Sequence, residues 1–289
     1  MHDIPTPISA DRLILGEGPG YDGDSDLAWW FDIASKTLFL CDGTTQRQQA
    51  ITLPLQASAA AITNDGRQLL LTERGIFDRD LSNGSLHVVL HADWSTGGLR
   101  SNDARVHPSG AWWISTISKR GTAGAGAIYH FGKGELRRLW ADMTTPNSIC
   151  FSPDGATGYF ADTAAKRILK VGLDPLTGLP SGHPQLMIQF DQDHPDGAVT
   201  DHNGNLWVAI WGGSRIICLG PDGLHKTSLY LPVPNVTCPA WVGPKQDHML
   251  ITTAREGMTP AQLSHYPQAG AVFLMKPGTM GPQNPRVIL

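Results

Sequence analysis

Phe151-Ser152-Pro153-Asp154-Gly155-Ala156-Thr157-Gly158-Tyr159-Phe160-Ala161-Asp162-Thr163 is an apolar residue, a Pro-Asp-Gly turn, then a short run of small and aromatic residues. That order is the sequence signature of a tight turn feeding a β-strand. Five further segments repeat it: Asp22 to Ile33, Ile62 to Thr72, Val106 to Thr116, Val199 to Trp211 and Gly243 to Ala254. Their turns recur roughly every 40 to 50 residues, the period of four-stranded propeller blades, whereas helical repeats would show apolar residues at i, i+3 and i+4. No convincing helical stretch is present. The intervening segments supply the remaining strands, for instance Ser85 to Leu90 after Asn83-Gly84, and Arg215 to Leu219 before Pro221-Asp222-Gly223. The expected fold is therefore all-β: a six-bladed β-propeller of four-stranded antiparallel blades.

Composition agrees. The 289 residues hold 32 Gly, 21 Pro and 9 Trp with modest charge, which suits a turn-dense all-β chain. No linker or composition shift interrupts the repeat, so residues 1–289 are read as one domain. A net charge of -4 offers no basic footprint for nucleic acid. No apolar run is long enough to span a membrane. The Met1-His2-Asp3-Ile4-Pro5-Thr6 start lacks the features of a signal peptide, and Cys41, Cys150, Cys218 and Cys238 stand apart without C-x-x-C spacing. A cytoplasmic protein with reduced thiols, monomeric or homodimeric, is expected.

Four polar residues share one phase of the repeat. Glu17, Asn102, Asn147 and Asp196 each stand eight positions ahead of Ser25, Gly110, Gly155 and Gly204. Inner strands of a propeller line its channel, and residues of equal phase lie at equal depth, so these side chains should converge near the axis. Taken singly, an Asp before Gly or an Asn after Pro is ordinary turn chemistry. Taken together, Glu17, Asn147 and Asp196 offer two carboxylates and an amide oxygen, half a shell for Ca²⁺, Mg²⁺, Mn²⁺ or a borderline Zn²⁺. Arg100, two residues before Asn102 on the same strand, should face the same way, with a fork of donors for a carboxylate, a carbonyl or hydroxyls. Ser58 and Pro239 stand near the remaining two phases and should give shape rather than ligands.

Other catalytic devices fare worse. No G-x-S-x-G elbow is present, and none of the 11 His shares the aligned phase. Gly121-Thr122-Ala123-Gly124-Ala125-Gly126 lacks Lys-Ser/Thr and a following helix, so the segment from Ile117 to Gly126 reads as a loop over the channel mouth rather than a phosphate cradle. Trp29, Trp30, Trp112, Trp113, Trp207 and Trp211 sit in strand segments and are read as core, although alternation lets one of an adjacent pair face a ligand.

Glu17-Gly18-Pro19, Arg100-Ser101-Asn102-Asp103, Pro146-Asn147-Ser148, Pro195-Asp196-Gly197 and Thr253-Ala254-Arg255-Glu256-Gly257-Met258, in this order over nearly the whole chain, resemble the SMP-30/gluconolactonase/LRE family. The resemblance implies a six-bladed propeller that binds one divalent cation and hydrolyses sugar lactones. Carried over by motif, Glu17, Asn147 and Asp196 are the metal ligands, Asp196 is also the acid/base, and Arg100 and Asn102 hold the substrate. The chain departs from the family pattern at Ser115-Thr116-Ile117, where Gly-Thr-Met is common, and at Lys119 and Arg120, which stand where some relatives carry a carboxylate. Two readings of that pair are open: recognition of an anionic group on the sugar, such as a 6-sulfo or 6-phospho substituent, or two solvated cations. A phosphotriesterase-like hydrolase and a non-catalytic metal-binding regulator are the alternative functions.

Overall fold

The computed structural model describes residues 4–43 and 46–289. Its strands form six four-stranded antiparallel sheets, the blades of a six-bladed propeller. Blades one to five each run in sequence order from the innermost strand outward. The inner strands are Gly16–Asp22, Ala57–Ile62, Leu99–Val106, Pro146–Phe151, His194–Thr200 and, in blade six, Val236–Val242. The six quoted turn-plus-strand segments are the connections from inner to second strands. Backbone bonds such as Gly155 N–H to Ser152 O (2.8 Å) and Gly204 N–H to Asp201 O (2.9 Å) close those turns. Gly155 and Gly204 sit at φ 70° and 79°, where any Cβ is strained.

Blade six is built from both ends of the chain. Thr6–Pro7 is its outermost strand, pairing with Leu274 and Phe273, and Ile8 N–H bonds Val272 O at 2.9 Å. A ring of blades must protect its sheet edges, and this N-terminal strand does so, with Leu13 N–H to Gly270 O (2.8 Å) as a second clasp. A C-terminal run without sequence periodicity closes the opposite end of the ring. Residues 281–288 run beneath the blades, bonding Gln246 O through Gly281 N–H, Tyr21 O through Asn284 Nδ2 and Gly110 O through Ile288 N–H. The Arg286 guanidinium pairs there with Asp22 and Asp24.

Core packing falls between neighbouring blades. Trp30, Trp112 and Trp113 are at most 1% exposed. Trp113 of blade three meets Phe151 of blade four edge-on at 5.1 Å, and Trp207 of blade five meets Trp241 of blade six at 6.4 Å. Such pairs add about 0.5 to 1.5 kcal/mol beyond area burial. Trp29, Trp30, Trp112, Trp113 and Trp207 are buried as expected, while Trp211 is only half-buried. The one α-helix among the described residues, Pro260–His265, lies in the segment that joins the second and third strands of blade six. No helix among them is long and apolar enough to cross a membrane. All four cysteines are free and buried.

One local device recurs in every blade. Each inner strand carries one residue more than its partner strand across a break in register, between Glu17 and Gly20, Ala57 and Ala59, Ser101 and Ala104, Asn147 and Cys150, Pro195 and Ala198, and Val236 and Cys238. A β-bulge bends its strand and re-aims a side chain. By this register the sixth-blade counterpart is Thr237, not Pro239. Its hydroxyl donates to Gly16 O at 2.6 Å, and the Ser58 hydroxyl donates to Ser101 Oγ at 2.8 Å, so both seam adjacent inner strands.

Candidate active site

The bulges aim the polar residues of four blades into one cavity of about 380 Å³ at the end of the channel where the inner strands begin. Glu17 of blade one, Arg100 and Asn102 of blade three, Asn147 of blade four and Asp196 of blade five all line it. Lys119 and Arg120 do not. Lys119 and Ser118 flank the end of the strand Trp112–Ser118, so the loop is shorter than expected, spanning 119–125 before Gly126 opens the next strand. The Lys119 ammonium is ion-paired with the buried Glu73 of blade two, and Arg120 is exposed.

Hydrogen bonds fix most of the lining. The Asn147 Nδ2 donates to Thr163 Oγ1 (2.9 Å), whose hydroxyl in turn donates to Pro195 O (2.6 Å). This leaves Asn147 Oδ1 as the free end of the amide, and it accepts from Asn102 Nδ2 at 2.7 Å with a second lone pair to spare. Asn102 Oδ1 accepts from the Arg100 guanidinium at 2.8 Å, and the same nitrogen donates to Ser101 O at 2.8 Å. The Ser148 hydroxyl holds the Asp196 carbonyl. Asn102, Asn147 and Asp196 are thus held by neighbours on the next blade or strand, and Arg100 by its own strand, the support a rigid site needs.

The two carboxylates are treated differently. Glu17 accepts one hydrogen bond, from Gly18 N–H at 3.1 Å. No hydrogen bond among the described residues reaches the Asp196 carboxylate, although Asp196 is only 6% exposed. Burial, then repulsion from Asp103, pushes the Glu17 pKa up to about 8. Burial, then the charges of Glu17 and Asp103, pushes Asp196 well above the usual carboxylate range. Burial also lowers the Arg100 pKa, against the pull of Glu17, Glu256 and Asp196. Desolvated like charges in one cavity, with a single arginine whose hydrogen bonds go elsewhere, are a configuration that a bound cation relieves. The donors are oxygens only, which suits a hard cation. Among the described residues no three His, Cys, Asp or Glu side chains gather as a metal cluster, so amide oxygen and water would have to complete the shell.

Several lining residues escaped the sequence reading. Thr163 orients Asn147 yet was visible only as the last residue of a hairpin segment, and Ile117, Thr145, His194, Trp211 and Glu256 also line the cavity. His194 and Trp211 face each other across blade five, the strand alternation that exposes Trp211. Asp103 does not form a simple turn. Its carboxylate accepts from Ala104 N–H (2.8 Å) and from Ile149 N–H of the next blade (2.7 Å). A second cavity of about 310 Å³ lies toward the opposite end of the channel, lined by Asp103, Arg105 and Cys238 and by residues 283–286 of the C-terminal run.

The model of the SMP-30/Gluconolactonase/LRE-like region matches residues 15–255. A calcium-binding protein, regucalcin, from Agrobacterium tumefaciens superposes with a TM-score of 0.95 at 38% identity, covering 100% of this chain and 98% of that one. An L-arabinolactonase of Azospirillum brasilense is 29% identical over 93% of this chain and 90% of its own length. A 6-deoxy-6-sulfogluconolactonase of Pseudomonas putida is 29% identical over 99% of both chains.

Proposed function

Since the chain belongs to the SMP-30/gluconolactonase/LRE-like family, we propose that it is a hydrolase of sugar lactones, opening an aldonolactone to the aldonic acid in sugar catabolism. The observation that carries this reading is the convergence of Glu17, Asn147, Asp196, Arg100 and Asn102, from four blades, on one cavity. Glu17, Asn147 and Asp196 would hold one divalent cation, Ca²⁺, Zn²⁺, Mn²⁺ or Mg²⁺, which when bound supplies Lewis-acid stabilisation of an oxyanion. Arg100 and Asn102 would bind the sugar hydroxyls and carbonyl: the guanidinium keeps its remaining N–H donors, and Asn102 holds it through the 2.8 Å bond. The Asp196 carboxylate, unbonded and facing the cavity, accepts a proton from the attacking water as the new C–O bond forms. It returns that proton to the ring oxygen as the ester C–O bond breaks. A bound cation, together with Arg100, would keep it ionised for that role.

The Glu73 pair leaves Lys119 poorly suited to bind an anionic substituent, so the substrate is read as a neutral lactone. A cytoplasmic setting is part of the reading, supported by the four free thiols. A pH-drop assay over a panel of aldonolactones, run with each divalent cation and after chelation, tests it. Cation-dependent acid release from at least one lactone is expected. No turnover of any lactone by cation-loaded protein would instead favour a binding role of the kind the regucalcin name describes.

A further inference from the structure

Glu256 stands at the mouth of the cavity, exposed where Asp196 is buried, and it belongs to the long connection between the second and third strands of blade six. Its backbone is tied down on two sides: its N–H donates to Ile14 O at 2.9 Å, and its carbonyl accepts from Asn235 Nδ2 at 3.4 Å. Its carboxylate has no hydrogen bond or ion pair among the described residues, yet its charge is felt at both Arg100 and Asp196. The ionisable lining is thus three carboxylates, Glu17, Asp196 and Glu256, against Arg100, with His194 beside them. Lys119 lies outside this lining and is ion-paired with Glu73.

We propose that Glu256 is a specificity residue, which turns this site toward neutral sugar lactones and against those carrying a phosphate or sulfonate. The proposal rests on the lactonase reading and adds the residue that sets its preference for neutral substrates. A charge at a binding rim acts mainly on encounter and discrimination, and its effect fades with salt. A neutral lactone feels it little, whereas a 6-phospho-lactone must bring a dianion past a fixed carboxylate.

The test compares kcat/KM for a neutral aldonolactone and its 6-phospho counterpart in wild type, Glu256→Gln and Glu256→Asp, at about 0.02 M and about 0.5 M salt. In Glu256→Gln the ratio of anionic to neutral efficiency should rise at least about fivefold at low salt, and high salt should erase most of that difference. Glu256→Asp, which keeps the charge, should stay near the wild-type ratio. A purely structural role would lower both efficiencies together and leave the ratio and its salt dependence unmoved, which would overturn the assignment. The pair is chosen on a sugar that wild type opens in the lactone panel; no turnover of any lactone there would overturn the lactonase reading itself, and Glu256 with it.

Discussion

Asp196 sits where a base and a ligand would be hardest to tell apart, so its substitution separates them. Asp196→Asn keeps an oxygen at the same place and removes the proton acceptor, and loss of a general base typically costs about 10² to 10⁴-fold in rate. The expected result is that loss in kcat at saturating cation with an unchanged melting temperature; retention of about a third of wild-type kcat or more would leave Asp196 a ligand alone. The carboxylates also make a pH statement. Folding raises the Glu17 pKa from 4.5 to about 8, and that of Asp196 in the same direction, so the native cation-free protein binds more protons than the unfolded chain. Stability from these groups is full below the unfolded pKa and is lost as pH climbs toward 8. Without cation the melting temperature should fall as pH rises from about 4.5 to about 8, and Glu17→Gln should flatten that slope. An equally steep slope in Glu17→Gln would exonerate Glu17. These residues were legible because one phase of a repeat is a spatial coordinate. Thr163 and Glu256 were not, since one acts through Asn147 and the other reaches the cavity from a connection outside the repeat.

The inner strand is the element that makes the site. A regular strand would alternate its side chains between the two faces of its blade; the extra residue at each bulge breaks that alternation at Glu17, Asn102, Asn147 and Asp196. Sequence shows the turn eight residues on but not the bulge, so counting reaches only the neighbourhood of Pro239, and the register puts Thr237 at the position itself. The second strands were legible from their aromatic and β-branched runs, and they pack the blades against each other. Trp113 is fully buried, donates from Nε1 to Gly178 O at 2.9 Å and touches both Trp140 and Phe151. Trp113→Ala should cost about 3 to 5 kcal/mol in chemical denaturation, the range for large aromatic truncations in a core. A loss under about 1 kcal/mol would mean that the seam between blades three and four contributes little.

At the scale of the whole molecule, the ring is held shut twice. Thr6–Pro7 completes blade six, and residues 281–288 tie blades one, three and six together from below, with Arg286 on Asp22 and Asp24. Closure by the N-terminus followed from the need to protect sheet edges. The tail had no such signal, because Gln283-Asn284-Pro285-Arg286 carries no periodicity that marks where it docks. Deleting the first 14 residues should lower the melting temperature sharply, and an unchanged value would refute closure by that strand.

On the proposed reading the ring brings blades one, four and five to one cation. An anomalous difference map from a crystal soaked in Mn²⁺ tests that directly. A single channel peak is expected, with oxygens of Glu17, Asn147 and Asp196 at roughly 2.0 to 2.6 Å. A peak elsewhere, or any of the three side chains more than about 4 Å from it, would rule out cation binding by this set.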